Sequence, residues 1–236
     1  MTIADRLHAV RARIAAAAGR SHRDAGTITL VAVSKFHPVT VMEEAYAAGQ
    51  RFFGENRVQE AEEKKRRLAP LLQKADPLRL ELIGALQSNK ARKAVGAVTR
   101  IQSIDSADLG ARVGRAAVEM GRLMPVLIQV DLAGEATKSG MPETEIFSAL
   151  ESLIGVAGIS VDGLMVIPPL LEDPENVRPY FARLRSLRDQ AGERGLLAGR
   201  ELSMGMSHDF EVAIEEGATI VRVGTAIFGE RPPKPL

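Results

Sequence analysis

The chain has 236 residues, 45% of them hydrophobic and 26% charged, with a formal net charge of +1. That is enough for one large globular domain with a substantial core, and the near-neutral balance excludes a global field that recruits nucleic acid or a membrane surface. There is no cysteine, which excludes disulfide and thiolate chemistry, and no tryptophan among only 4% aromatic residues, which argues against base-stacking platforms. Asp5, Arg6, Arg11 and Arg13 interrupt the apolar residues at the start, so no signal-peptide core forms there. No uncharged run approaches membrane-spanning length, and a reducing cytoplasm is the expected compartment.

In chain order, Thr2 and Asp5 make a capping-box pattern, with aspartate in the usual Glu or Gln position. Ile3, Leu7, Val10 and Ile14 follow at helical spacing and predict an amphipathic leading helix ending near Gly19. The stretch Thr27 to Lys35, T-I-T-L-V-A-V-S-K, has the continuous apolar run of a parallel strand buried on both faces. Pro38 stops a helix from growing through it, so Lys35 is expected at the carboxyl end of a core strand. Val39 to Ala48 reads as helix closed by Gly49, and Arg51 to Asn56 as a second strand. The next helix is charge-sorted, with Glu60, Glu62 and Glu63 before Lys64, Lys65, Arg66 and Arg67. That order complements the helix dipole; the basic cluster reads as a solvated face, with nucleic-acid binding as the lesser alternative, and Pro70 ends or kinks the helix.

Further strands are predicted at Leu80–Gly84, Thr99–Ile104, Pro125–Leu132, Ile159–Ile167, Leu202–Met204 and Ala218–Val223, with helices between them. Ser88 is a candidate cap for the helix after the third strand. The expected fold is a single (β/α)8 barrel over residues 1–230 with an extra N-terminal helix; an open doubly wound sheet is the runner-up. No G-x-G-x-x-G follows the first strand, so the dinucleotide fingerprint is missing. The tail 231–236, R-P-P-K-P-L, is expected to be flexible.

Barrels build their sites from strand-end loops on one face. Met204-Gly205-Met206-Ser207-His208-Asp209 follows the seventh strand, and Arg222-Val223-Gly224-Thr225 ends the eighth and opens a helical turn. Each puts a glycine and a hydroxyl where free backbone N–H groups suit an anion, although Ser207 and Thr225 also read as ordinary helix caps. If Arg222 points inward it needs an acceptor, since a guanidinium stays charged. A lysine amine in a partly desolvated pocket is a usable nucleophile, against the bland alternative of a lysine snorkelling from a strand end. A reactive Lys35 opposite an anion cup suits pyridoxal phosphate held as an imine, or a sugar phosphate handled by a Schiff-base aldolase. The four histidines show no paired metal-ligand spacing, so no metal is expected.

The segments L-V-A-V-S-K, F-G-E-N-R-V-Q-E, I-G-A-L-Q-S-N-K, K-S-G, G-L-M-V-I-P-P, L-S-M-G-M-S and V-R-V-G-T-A-I-F-G occur here in order. Together they resemble the pyridoxal-phosphate homeostasis protein family over nearly the whole chain. The resemblance implies a barrel like the alanine racemase N-terminal domain without that enzyme's second domain. It implies that Lys35 holds pyridoxal 5'-phosphate as an internal aldimine, with Asn56 beside the ring. It also matches Ser207, Gly224 and Thr225 to the phosphate contacts and Arg222 to the arginine facing the pyridine nitrogen. This chain departs from the family pattern at Glu81, where many members have histidine, and at Arg57, Ala85 and His208.

An arginine beside the pyridine nitrogen disfavours its protonation and weakens the ring as an electron sink. The only tyrosines are Tyr46 and Tyr180, neither in a strand-end motif. The expectation is therefore a protein that holds the cofactor without efficient turnover of amino acids, with no catalytic residue assigned; the resemblance implies a monomer that supports intracellular vitamin B6 balance, with PLP-dependent apoenzymes as recipients. The alternatives are a weak amino-acid racemase and a Schiff-base aldolase.

Overall fold

A computed structural model of the chain describes residues 1–134 and 139–230. Lys138 of the K-S-G motif and the tail 231–236 lie outside the described residues. Eight parallel strands form the barrel: β1 (Thr29–Val33), β2 (Phe52–Glu55), β3 (Arg79–Leu82), β4 (Arg100–Ile104), β5 (Met124–Asp131), β6 (Ile159–Val166), β7 (Glu201–Ser203) and β8 (Ile220–Val223). Each pairs with the next, and β8 pairs back with β1, so the sheet closes without an edge. The two-residue stretch Met141–Pro142 adds in parallel to the end of β5, a feature the turn-rich sequence there had concealed.

The surrounding helices are α1 (Ile3–Arg20), α2 (Val39–Ala47), α3 (Val58–Arg67), α4 (Ala69–Leu72), α5 (Ala91–Ala97), α6 (Ala107–Glu119), α7 (Ile146–Leu153), α8 (Arg178–Glu193), α9 (Phe210–Glu215) and α10 (Thr225–Phe228). The extra helix α1 begins with the full capping box: Asp5 N–H donates to the Thr2 hydroxyl and Thr2 N–H to the Asp5 carboxylate. It buries Leu7, Val10, Ile14, Ala17 and Ala18. The stripe packs α1 against α2, α9 and α10, over the seam where the last strand meets the first. Burying each of its large side chains contributes about 1.5–3 kcal/mol.

Alternation along the strands sorts the residues into two layers. Outward side chains such as Ala32, Phe53 and Leu82 join the main core between barrel and helices. Inward side chains begin as an apolar plug of Val31, Leu127, Met165 and Ile220. Two residues further along β5 and β8 the inward positions are Gln129 and Arg222, so the barrel interior turns polar toward the carboxyl ends of its strands.

Some local expectations shift. Ala25–Thr27 is a 3-10 turn, so β1 is shorter than the apolar run and Lys35 lies two residues past its end. Ser88 caps no helix: it opens a 3-10 turn, Ser88–Lys90, ahead of α5. Pro70 does not end α3, which stops at Arg67; it occupies the first turn of α4, where a missing N–H costs nothing. The basic run is not solvated throughout, because Lys64 is only 5% exposed. Among the described residues no helix is long and apolar enough to cross a membrane.

Candidate functional site

A cavity of about 560 Å³ opens at the carboxyl ends of the strands, within the usual range for small-molecule sites. Lys35, Asn56, Ser207, Arg222, Gly224 and Thr225 all line it, together with His37, Gln129, Met206 and His208. The residues singled out from the sequence thus come together from the ends of β1, β2, β7 and β8.

Each is placed by a local constraint. Lys35 has the inward parity of Val31 and Val33, so it follows them over the barrel mouth. Its backbone forms a turn in which His37 N–H donates to the Ser34 carbonyl at 3.0 Å, with Phe36 at φ +68°. Asn56 follows β2 and presses against Gly84: a Cβ on residue 84 would lie 2.4 Å from the Asn56 carbonyl oxygen, so only glycine fits there.

The two loops after β7 and β8 are zipped together. Arg222 N–H donates to the Gly205 carbonyl at 2.9 Å, and Gly205 sits at φ +90° with Ala213 and Phe210 against it. Gly224 is the cap residue of α10 and Thr225 its first residue. Ser207 does not cap α9; the cap position is Asp209, whose carboxylate accepts from Met206 N–H at 2.6 Å. The Ser207 hydroxyl instead crosses to the other loop and accepts from Gly224 N–H at 3.3 Å and Ala226 N–H at 3.5 Å. These are long bonds, and they leave amide hydrogens grouped on one side of the cavity, available to a stronger acceptor.

Arg222 is 3% exposed. It donates to the Ser203 hydroxyl at 2.5 Å and the Val166 carbonyl at 2.8 Å, both uncharged acceptors. Burial pulls its guanidinium down to about 10, opposed by the nearby Asp209 carboxylate; it remains a cation at neutral pH. Burial also raises the Asp209 carboxyl, against the Met206 N–H bond and Arg222. Beneath Arg222 a chain of donors runs across the barrel: Ser203 O–H to the Gln102 amide oxygen, and the Gln102 amide N–H to the Glu81 carboxylate. Glu81 is 1% exposed, its pKa raised by burial, and pairs at 3.8 Å with Arg100. Sequence reading missed Gln102, Gln129 and Ser203. The available signal was polar residues at inward positions of otherwise apolar strands. Among the described residues no group of three or more His, Asp or Glu is arranged to hold a metal.

The family model described as "Alanine racemase, N-terminal domain" matches residues 6–232. The pyridoxal phosphate homeostasis protein of Aquifex aeolicus is 43% identical over 231 residues, covering 98% of this chain and 99% of that protein. Its counterpart in Pseudomonas aeruginosa is 40% identical, covering 98% and 96%. The solved structure of PipY from Synechococcus elongatus with PLP bound is 41% identical with a TM-score of 0.84, covering 97% of this chain and all of that one. Alanine racemase from Corynebacterium glutamicum, at 21% identity and TM-score 0.65, shares the fold. The chain therefore belongs to the pyridoxal phosphate homeostasis protein family, built on the barrel of the alanine racemase N-terminal domain.

Proposed function

We propose that this protein binds pyridoxal 5'-phosphate in the barrel-mouth cavity, joined through Lys35 Nζ as an imine, and keeps it in reserve for apoenzymes rather than turning over amino acids. One observation carries the reading. An amine-bearing residue, a loosely engaged set of backbone N–H groups and a buried arginine with uncharged partners line one cavity. The residues fit the cofactor. Gly224, Thr225 and Ser207 suit the phosphate, Asn56 the ring flank, and Arg222 an unprotonated ring nitrogen. When bound, pyridoxal phosphate supplies an aldehyde that condenses with amines and a ring that withdraws electrons when protonated.

Arg222 works against that second property. Its charge opposes a second cation on the ring nitrogen, and a pKa of about 10 keeps the charge in place at neutral pH. Neither tyrosine lines the cavity, and the Tyr46 hydroxyl is engaged with the Asp76 carbonyl at 2.7 Å. One observation favours residual racemase activity: His37 and His208 both line the cavity, and histidine is the side chain most often used as a general acid or base. Incubation with amino acids in deuterated water tests it, and exchange at the α-carbon well below catalytic rates is expected. The main reading is tested by visible absorption of the purified protein loaded with the cofactor. The expected result is a yellow imine band in the wild type, absent in Lys35→Ala; the same band in both removes Lys35 from the proposal.

A further inference from the structure

On the side of β1 and β2 away from the cavity, the helix layer holds a buried charge cluster. Glu55 pairs in register with Leu82, which packs in the core between barrel and helices, so its carboxylate faces α3 rather than the barrel mouth. Lys64 reaches down from α3 to meet it. Its ammonium has three hydrogens and three acceptors: Glu55 Oε1 at 2.7 Å, Glu60 Oε1 at 2.8 Å and the Ser34 backbone carbonyl at 2.7 Å. The same Glu60 oxygen accepts from Phe36 N–H at 2.7 Å, and the Ser34 hydroxyl donates to Glu55 at 2.6 Å.

Ser34 and Phe36 are the residues on either side of Lys35. The turn between them has the form of a type II turn, closed by His37 N–H on the Ser34 carbonyl, with Phe36 at the position that needs a positive φ. Glycine is the usual occupant, and a phenylalanine at φ +68° is strained. Such backbone persists only where its surroundings over-determine it. A buried lysine paired with one buried and one part-exposed carboxylate is a costly way to fix a turn, and none of the three lines the cavity.

We propose that Lys64, with Glu60 and Glu55, is a positioning clamp for Lys35. It locks the peptide groups before and after the lysine, so that its amine is presented to an incoming aldehyde without a search through other turn conformations. The proposal rests on Lys35 as the imine-forming residue. In that reaction neutral Lys35 Nζ adds to the aldehyde carbon, a C=N bond forms, and the carbonyl oxygen leaves as one water, with no redox change. Pre-organisation acts on the rate of this step. It leaves the phosphate and ring-nitrogen contacts, which come from the loops after β7 and β8, intact.

The test is stopped-flow absorbance of imine formation by the full-length apoprotein, wild type against Lys64→Met and Glu60→Ala. Equilibrium binding of pyridoxamine phosphate, which has no aldehyde, is measured beside it. The expected result is an imine rate at least tenfold lower in both variants, with pyridoxamine phosphate bound within about twofold of wild type. Glu60 is part exposed and its variant retains the Lys64–Glu55 pair, so it decides the matter if Lys64→Met does not fold. Wild-type imine rates in a folded variant overturn the clamp. So does a loss of pyridoxamine phosphate affinity as large as the loss of rate. A wild type that forms no imine at all overturns the Lys35 reading instead.

Discussion

Replacing Arg222 with methionine separates a charge kept for a ligand from a charge kept for the fold. Burial lowers the guanidinium pKa from 12.5 to about 10. At about 1.4 kcal/mol per unit, that is a penalty on the order of 3 kcal/mol for carrying the charge into the core. The sign is that of a base with a depressed pKa: the penalty is at full value everywhere below about pH 10 and fades only as pH rises toward 12.5. Against it stand two hydrogen bonds from a charged donor, to Ser203 and Val166, each with a net value of about 1.5–3 kcal/mol. Methionine keeps most of the apolar stem, and Ser203 keeps its bond to Gln102. The two sides nearly cancel, so apo stability of Arg222→Met is expected within about 2 kcal/mol of wild type by urea unfolding at pH 7. Loss of a charged hydrogen bond to the ring nitrogen is expected to weaken pyridoxal phosphate binding by about 10- to 100-fold in the same preparation. An apoprotein destabilised by more than about 4 kcal/mol, with wild-type affinity, makes Arg222 a strut and refutes the reasoning.

Glu55 gives a pH-dependent counterpart. Its carboxyl is raised from 4.5 to about 7, chiefly by burial and against the pull of Lys64, so the folded state holds a proton that the unfolded state has released. Its contribution is fully present below pH 4.5 and is lost as pH rises through about 7. Relative to Glu55→Gln, the wild type is expected to lose roughly 3 kcal/mol between pH 5 and pH 8 by urea unfolding, and a pH-independent difference contradicts this. Ser207→Ala removes only long hydrogen bonds from the apoprotein. It is expected to change apo stability by less than about 1 kcal/mol and to weaken pyridoxal phosphate, but not pyridoxal, in equilibrium dialysis. Equal weakening of both removes Ser207 from the phosphate site.

What was legible in the sequence followed one rule: local pattern. The run Leu30–Val33 announces a strand buried on both faces because its neighbours along the chain are alike. Gly205 announces close backbone approach because only glycine tolerates it: it sits at φ +90° and a Cβ there would lie 2.6 Å from the Ala213 side chain. Lys64 was hidden by its company. It lies among charged residues, yet it falls on the stripe Val58, Ala61, Lys64, Leu68, whose members are all buried; a lysine in an apolar helical stripe is the signal the charge run masked. Its partners Glu55 and Ser34 belong to different strands, so the clamp exists only once β1, β2 and α3 have packed. The same holds for the donor chain from Arg222 to Glu81, whose four residues come from β8, β7, β4 and β3. Ser207 was placed on the right loop with the wrong neighbour, because sequence offers α9 as the adjacent helix while the closed barrel brings α10 alongside.

Borohydride reduction of the loaded protein, followed by peptide mass mapping, tests the central claim most directly. Reduction turns the imine into a stable secondary amine, so the modified lysine identifies itself. The account predicts a phosphopyridoxyl group on the peptide bearing Lys35 and none on that peptide in Lys35→Ala. A label on another lysine, or a reduced protein that carries no label while still binding the cofactor, contradicts it.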